Sequence, residues 1–231
     1  MKRFPPIPVP VPLQALNLSR AGLAAHYKKI KPAIKRRISE FRAVIECGRE
    51  EDIFSELCFC ILTANAGAVK CDEAMRELSS LGLIAGGTAR QIRPRIKGRA
   101  RFHNKKADYI TGARKLFEAG RGIDVRGKLD KDDIVATRDW LAANIKGYGY
   151  KEASHFLRNI GLGREIAILD RHILKNLRKF GVINAIPESL SSRKIYLSVE
   201  DKMRRFSRRI GIPMDELDLL FWSMQTGYIF K

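Results

Sequence analysis

A tight glycine turn followed at once by a lysine constrains this chain more than any other stretch of it. Gly147 and Gly149 stand in the segment Lys-Gly-Tyr-Gly-Tyr at residues 146–150, and Lys151 comes next. Between two helices, such a turn leaves unpaired backbone N–H groups at the start of the second helix, where they can hold a phosphate. Asp170 stands further along, where the following helix is predicted to begin. An amine and a carboxylate placed against a nucleic-acid backbone indicate a DNA-processing enzyme.

The charge of the chain agrees with a polyanionic partner. Its 231 residues carry a formal net charge of +19, and 45% of them are hydrophobic. This length is enough to bury a core, either as one large domain or as two lobes. The excess of positive charge favours nucleic acid, because each neutralised phosphate releases counterions. A solvated basic surface is the alternative that composition alone leaves open.

The four cysteines, Cys47, Cys58, Cys60 and Cys71, do not have the spacing of a zinc ribbon or of an iron–sulfur loop. We therefore expect no metal, no cofactor and no disulfide framework, which fits a cytoplasmic, nucleoid-associated protein. Prolines interrupt the basic start of the chain, so neither a signal peptide nor a membrane span is predicted. Residues 1–12 are instead expected to form an extended, proline-rich segment.

Beyond that segment, apolar residues recur at helical spacing, as at Ile34, Ile38, Phe41 and Ile45. The sequence shows no period-2 alternation of useful length. The fold class is therefore predicted to be all-α, with residues 1–231 forming a single unit of two helical lobes. Predicted helices cover residues 53–62 after Asp52, 72–81, 105–117 after Asn104, 130–146, 151–159, 171–180 after Asp170, 200–210 and 214–226. A helix-hairpin-helix motif is predicted at residues 140–160.

Lys151 and Asp170 each have two interpretations. A helix N-terminus disfavours an ammonium ion, and a free amine there suits a Schiff-base nucleophile. A surface lysine that only touches phosphate explains Lys151 equally well. Asp170 suits the N-cap of its helix. The apolar residues 166–169 would also carry it into a dry site, where a carboxylate can stabilise positive charge at a sugar C1′ or help to deprotonate the amine.

Together these residues resemble the helix-hairpin-helix DNA glycosylases, and in particular the compact second class of 8-oxoguanine DNA glycosylase/AP lyases. The resemblance rests on residues 37–41, 56–65, 102–107, 144–159, 168–174 and 216–222. It covers most of the chain beyond the proline-rich start. One departure is Lys146, which stands where many hairpin glycosylases have a proline. The chain also lacks the iron–sulfur cysteine loop of the endonuclease III branch.

The resemblance implies a two-lobed helix-hairpin-helix glycosylase fold with the active site in the cleft between the helical lobes. It implies that Lys151 is the catalytic nucleophile and that Asp170 is its acidic partner. The enzyme would flip the damaged nucleotide out of the duplex, attack C1′ through Lys151, displace the base and cleave the strand by β-elimination. The implied partner is double-stranded DNA containing 8-oxoguanine, and the protein is expected to be a monomer.

The end of the chain holds the candidates for base recognition. 8-Oxoguanine differs from guanine at O8 and at N7, which carries a proton, so recognition requires an acceptor aimed at N7–H. Asp218 and Trp222 share one face of the last predicted helix, and this face is expected to line the base pocket. The resemblance adds Ser39 and the terminal residue Lys231, whose carboxylate is a candidate acceptor. A core aromatic is the other interpretation of Trp222.

The remaining candidates are expected to contact DNA. In the hairpin they are Gly147, Gly149 and Tyr150, which would face the backbone. Asn65 would fill the space left by the flipped base or touch the orphaned partner base, with a plain helix-end residue as the alternative. Arg171 and His172 follow Asp170, and His172 is expected to be structural or DNA-facing. Two basic stretches, residues 90–106 and 202–209, are candidates for phosphate contacts or for ordinary solvated faces.

Two other functions remain open on the sequence. One is a glycosylase of the same architecture that removes another oxidised base, which a panel of lesions would separate. The other is a non-catalytic helix-hairpin-helix module that binds DNA through its backbone and forms no covalent intermediate.

Overall fold

The computed structural model describes residues 4–10, 19–120 and 122–231, and most of these residues are helical. The predicted all-α class is therefore confirmed. Of the proline-rich segment predicted at residues 1–12, residues 1–3, 11 and 12 lie outside the described ranges. The helices are α1 (Arg20–Cys47), α2 (Glu50–Thr63), α3 (Ala68–Ser80), α4 (Leu83–Gly86), α5 (Ala89–Ile96), α6 (His103–Phe117), α7 (Ile134–Asn144), α8 (Tyr150–Asn159), α9 (Arg171–Lys179), α10 (Arg193–Ile210) and α11 (Met214–Thr226).

Within the described ranges, four two-residue strands accompany the helices: β1 (Ile7–Pro8), β2 (Glu118–Ala119), β3 (Gly122–Ile123) and β4 (Tyr228–Ile229). β2 pairs with its neighbour β3, whereas β1 pairs antiparallel with β4 near the other end of the chain. The sequence analysis did not predict these strands, because two residues are too few to show an alternating pattern. No helix in the described ranges is long and apolar enough to cross a membrane.

One compact unit contains residues 43–162. Its centre is α2, which is buried from Asp52 to Thr63 and packs against α3, α6 and α8. Polar groups on α2 are bound by the residues around it. Asn159 Nδ2 at the end of α8 donates to Glu56 Oε2 at 3.1 Å, and Tyr148 Oη donates to the Leu57 carbonyl at 2.7 Å. These buried bonds fix the hairpin and the far end of α8 relative to the central helix.

The second unit contains residues 4–42 and 163–231, so α1 contributes to both units. In the second unit α11 packs against α9 and α10. Phe180, Phe206 and Phe221 form a stack, with ring centroids 5.6–6.4 Å apart. Tyr27 Oη on α1 donates to Glu216 Oε2 on α11 at 2.5 Å. This unit therefore has an apolar core of its own.

Several predicted helix starts were wrong by a few residues. Asp52 does not cap α2: it lies in the first turn, where its carboxylate accepts from the Arg49 N–H at 3.2 Å. α6 begins before Asn104, and its N-cap residue is Phe102 in the left-handed conformation. α7 starts only after Asp133, whose side chain accepts from Ala136 N at 2.8 Å. Asp52 thus binds the start of α2 from inside the helix, no side chain caps α6, and Asp133 caps α7.

Candidate active site

The glycine turn between α7 and α8 is held in a conformation that requires Gly147. Its φ is +84°, and a Cβ added there would lie 2.5 Å from Tyr109 Cδ2. Next to it, Tyr148 is buried and anchored to α2 through its hydroxyl. α8 then starts at Tyr150, as the sequence analysis predicted to within one residue. Both the backbone and the Tyr109 ring therefore exclude a side chain at position 147.

The start of α8 is partly occupied by the chain itself. The Glu152 carboxylate turns back and accepts from the Gly149 N–H, with Oε2 3.2 Å from the nitrogen. The other carboxylate oxygen of Glu152 lies 3.3 Å from Lys151 Nζ. The predicted phosphate-binding turn therefore has one N–H engaged by an acid, and the same acid pairs with the candidate nucleophile.

Lys151 is partly buried, with 25% of its side chain exposed. Its charge acts on two groups of the same unit, the Cys71 thiol and the Lys106 ammonium. Burial raises the pKa of the Cys71 thiol to about 11, so this neighbour is a neutral thiol at physiological pH. The surroundings of Lys151 thus contain one acid, one neutral thiol and one buried cation.

Lys106 is the buried cation, with only 3% exposure, and the sequence analysis wrongly grouped it with possible phosphate contacts. Its Nζ donates to the Leu62 carbonyl at 2.7 Å and to the Ala64 carbonyl at 2.5 Å, at the end of α2. Burial lowers the pKa of Lys106, and the charge of Lys151 lowers it further. The run of basic residues in the sequence did not indicate that one of them would be buried.

Much of the basic stretch at residues 90–106 is paired with acids from other elements. Arg93 lies 2.7 Å from Asp108, Arg95 lies 2.9 Å from Glu77, and Arg99 also pairs with Glu77. The stretch itself contains no acidic residue. Its net charge toward DNA is therefore smaller than the sequence suggests.

Two non-glycine residues of the first unit have positive φ among the described residues. Asn65, at +55°, is exposed just beyond α2, next to the carbonyl groups that Lys106 binds. Phe102, at +57°, is 59% exposed and has the Arg101 guanidinium 5.6 Å from its ring. Asn65 was predicted from the sequence as a DNA-contacting residue, whereas Phe102 was not.

Asp170 belongs to the second unit and is the N-cap of α9, as predicted. Its Oδ1 accepts from the backbone N–H groups of His172 and Ile173, both at 2.8 Å. The preceding residues 166–169 are buried and Asp170 itself is half-buried, so the carboxylate is fixed at the edge of an apolar stretch. This geometry is compatible with both interpretations of Asp170.

A group of aromatic side chains surrounds Trp222 in the second unit. The His172 ring meets it edge-on at 6.5 Å, and the Tyr228 ring does so at 5.2 Å. Burial lowers the pKa of His172 below its ordinary value, which favours the neutral imidazole. Trp222 is half-buried, whereas Leu217, Leu220, Phe221 and Met224 on the same helix are buried in the core. Tyr228 was not anticipated from the sequence.

The other base-recognition candidates are distributed around the same unit. Asp218 is 4% exposed and Lys231 is 3% exposed, and Lys231 Nζ lies 5.4 Å from the centre of the Phe4 ring. Ser39 is exposed on α1, and Arg171 is exposed at the start of α9. In the part of the chain that the structure describes, no three His, Cys, Asp or Glu side chains are grouped as metal ligands would be.

Comparison with known proteins identifies the family of this chain. Residues 34–212 match a family described as 8-oxoguanine DNA glycosylase. An 8-oxoguanine DNA glycosylase/AP lyase of Fusobacterium nucleatum is 42% identical over 89% of this chain and 94% of the relative. The crystal structure of the 8-oxoguanine DNA glycosylase of Thermotoga maritima superposes with a TM-score of 0.80 at 35% identity, covering 92% of this chain and 98% of that one.

A further solved structure contains DNA. The 8-oxoguanine glycosylase/lyase of Methanocaldococcus jannaschii, in complex with a 15mer DNA containing 8-oxoguanine, superposes with a TM-score of 0.77 at 34% identity. The match covers 90% of this chain and 98% of that one.

Proposed function

The chain belongs to the 8-oxoguanine DNA glycosylase family, and from this premise we propose that it excises 8-oxoguanine from double-stranded DNA and cleaves the strand at the abasic site that results. The activity is that of an 8-oxoguanine DNA glycosylase/AP lyase. The observation that carries the mechanism is the position of Lys151: a partly buried amine on the first turn of α8, directly after the glycine turn.

Lys151 is the nucleophile in this proposal. Its unprotonated amine attacks C1′ of the flipped nucleotide, the glycosidic bond breaks, and the base leaves with the bonding electrons and takes up a proton. Opening of the sugar ring then gives a Schiff base between Nζ and C1′. This group makes the C2′ proton acidic, so its removal expels the 3′ phosphate and cleaves the strand. Glu152, which lies 3.3 Å from Nζ, is placed to take the proton that the amine must lose.

Asp170 acts as the acidic partner. Its carboxylate is oriented by the two N–H groups at the start of α9, so its position costs no reorganisation during the reaction. A fixed negative charge stabilises the positive charge that develops at C1′ as the base departs. Capping of α9 and catalysis are compatible roles, because both require the same fixed carboxylate.

The second unit supplies base recognition. We assign stacking on the base to Trp222, which is half-buried and supported edge-on by Tyr228. Asp218 and Lys231 are assigned to the polar edge of 8-oxoguanine, and Ser39 to the rim of the pocket. A polar group that requires the N7 proton would be left unsatisfied by guanine, which penalises the normal base.

We assign contacts with the DNA backbone to the hairpin of the first unit and to residues of each unit that follow a helix end or begin a helix. Gly147, Gly149 and Tyr150 would approach a phosphate, Asn65 would fill the space of the flipped base, and Arg171 and His172 would contact the strand from the second unit. Phe102 adds an exposed apolar side chain of the kind that separates base steps in bent DNA. We propose that the protein acts as a monomer, in the nucleoid.

Borohydride trapping tests the proposal directly. Wild-type protein is incubated with duplexes carrying 8-oxoguanine, an abasic site or neither. Lys151→Gln is compared with Lys146→Gln, which removes the same charge from an exposed position in the same hairpin. We expect a covalent band on both damaged duplexes with wild type and Lys146→Gln, and none with Lys151→Gln. A normal band with Lys151→Gln would reject Lys151 as the nucleophile, and a band confined to the abasic duplex would reopen the choice of lesion.

A second comparison separates the two roles of Asp170. Asp170→Asn keeps an N-cap acceptor but removes the charge, whereas Asp170→Ala removes both. If the charge is catalytic, Asp170→Asn folds like wild type and still loses excision by 100-fold or more, on the order of a missing transition-state charge. Full activity of Asp170→Asn would leave capping as the only role of this residue.

A further inference from the structure

The two described ends of the chain are held together in the second unit. Ile7 of β1 pairs with Ile229 of β4, Pro8 pairs with Tyr228, and the Val9 N–H donates to the Gly227 carbonyl at 2.9 Å. We call residues 4–9 the N-terminal strap. These residues lie outside the stretch from 34 to 212 that matches the glycosylase family. The strap thus runs alongside the segment that leads to Lys231.

The strap is fixed to α1 by a buried cation. Arg37 has no exposed side-chain surface, and it donates from Nη1 to the Phe4 carbonyl at 3.3 Å and from Nη2 to the Pro5 carbonyl at 2.5 Å. Its guanidinium also lies 5.6 Å from the centre of the Phe4 ring, which packs edge-on against Phe41. Burying a charge is costly unless it is well bound. Glu40 Oε2 lies 2.9 Å from Arg37 Nε, and the two strap carbonyls bind the other end of the guanidinium.

The far side of the strap supports Lys231. The Phe4 ring, 3% exposed, lies 5.4 Å from Lys231 Nζ, close enough for a cation–π contact. Phe230 and Ile229 before it are also buried. The strand β4 carries Tyr228 as well, whose ring supports Trp222. The pairing of β1 with β4 and the burial of these side chains hold the segment that carries Lys231.

We propose that the N-terminal strap is a positioning element for recognition of the damaged base, with Phe4 acting through Lys231. The inference rests on the proposed function, because it concerns the recognition roles assigned there to Lys231 and Trp222. Phe4 itself does not touch the base. Discrimination between 8-oxoguanine and guanine depends on few atoms, and a displacement of about 1 Å in a group that contacts them has a large effect on rate.

The test is a ratio of two rates measured in single turnover. One is excision from a duplex with 8-oxoguanine, and the other is cleavage of a duplex with an abasic site, which offers no base to recognise. Phe4→Leu is compared with Phe206→Leu, which shortens another buried phenylalanine of the same unit away from Lys231. We expect Phe4→Leu to lower the ratio about tenfold, the size of one misplaced hydrogen bond, and Phe206→Leu to leave it unchanged. Equal ratios for the two variants would overturn the inference.

A double-variant cycle then shows whether Phe4 works through Lys231. Lys231→Ala is expected to lower the ratio, and adding Phe4→Leu to it should lower the ratio no further. Independent, multiplying effects would overturn the inference. If Lys231→Ala lowers the ratio but Phe4→Leu does not, the strap is excluded while the proposed function stands. If Lys231→Ala leaves the ratio unchanged, the Lys231 side chain plays no part in recognition and the strap inference, which acts through that side chain, fails. The candidate role of the terminal carboxylate, which this variant keeps, then still stands.

A third variant keeps the test valid if Phe4→Leu folds poorly. Val9→Pro removes the N–H that donates to the Gly227 carbonyl and leaves the buried side chains intact. Proline suits an extended segment that already has Pro8 and Pro10 on either side. The inference requires Val9→Pro to lower the ratio in the same direction as Phe4→Leu, and an unchanged ratio would contradict it.

Discussion

Replacing Gly147 by alanine tests the geometry of the hairpin. The φ of Gly147 is +84°, a region in which an L side chain costs about 1–2 kcal/mol. The new Cβ would also lie 2.5 Å from Tyr109 Cδ2 and 2.7 Å from Cε2. Forcing such a contact costs roughly 1–3 kcal/mol, with the lower end applying if the half-buried ring swings aside. The variant is therefore expected to lose about 2–5 kcal/mol in the free energy of unfolding.

The second glycine of the same turn provides a matched control. Gly149 has a φ of −115°, and a Cβ added there meets only Glu152 Oε2, at 3.5 Å. Gly149→Ala should therefore change the free energy of unfolding by no more than about 1 kcal/mol. Urea unfolding followed by far-ultraviolet circular dichroism measures both variants. DNA binding is expected to weaken for Gly147→Ala, because a displaced turn no longer directs its N–H groups at a phosphate.

A double variant separates the two contributions. In a Tyr109→Ala background the ring is gone, so Gly147→Ala should cost only the backbone part, about 1–2 kcal/mol. If Gly147→Ala costs no more than Gly149→Ala, neither the positive φ nor the ring contact describes the folded turn. If Tyr109→Ala leaves the full cost in place, the backbone alone carries the penalty and the clash argument is wrong.

Three further predictions concern buried polar groups. Lys106→Met should cost about 1–3 kcal/mol, because it leaves two carbonyls at the end of α2 unbound, whereas urea unfolding of the exposed Lys105→Met variant should match wild type. Tyr27→Phe should cost about 1.5–3 kcal/mol by removing the hydroxyl bound to Glu216, and unchanged thermal unfolding would contradict it. Burial raises the pKa of Asp215 above its ordinary value of 3.8. The charged carboxylate therefore lowers the stability of the folded state at neutral pH, and this penalty is absent below pH 3.8, where the group is protonated in both states. Asp215→Asn should accordingly raise the melting temperature at pH 7, with a gain that shrinks as the pH falls toward 3.8.

Local signals in the sequence predicted the parts of the molecule that depend on neighbouring residues. Asp170 was predicted as an N-cap because an acid stood directly before a helical pattern, and its side chain does bind the first N–H groups of α9. The bounds of α11 were predicted as Met214–Thr226 and confirmed. The glycine turn was recognised because only glycine tolerates such a backbone. The all-α class followed from the same short-range periodicity.

Side-chain surroundings could not be predicted in this way. Lys106 belongs to a run of basic residues. Nothing adjacent to it in sequence shows that its ammonium group will donate to the carbonyls of Leu62 and Ala64. The arginines of that run meet Glu77 and Asp108, which lie on other helices. Charge in a sequence shows that a group must be solvated or bound, but only tertiary packing decides which.

The pairing of the chain's two ends lies furthest beyond local information. β1 and β4 have two residues each, too few for a pattern, and they pair Ile7 with Ile229. The sequence by itself determined the helices, the hairpin and the residue types that glycosylase chemistry needs, because these depend on spacings of a few residues. The tertiary structure alone decided that Phe4, whose carbonyl Arg37 binds, lies against Lys231, since contacts between distant residues arise only when the whole unit has closed its core.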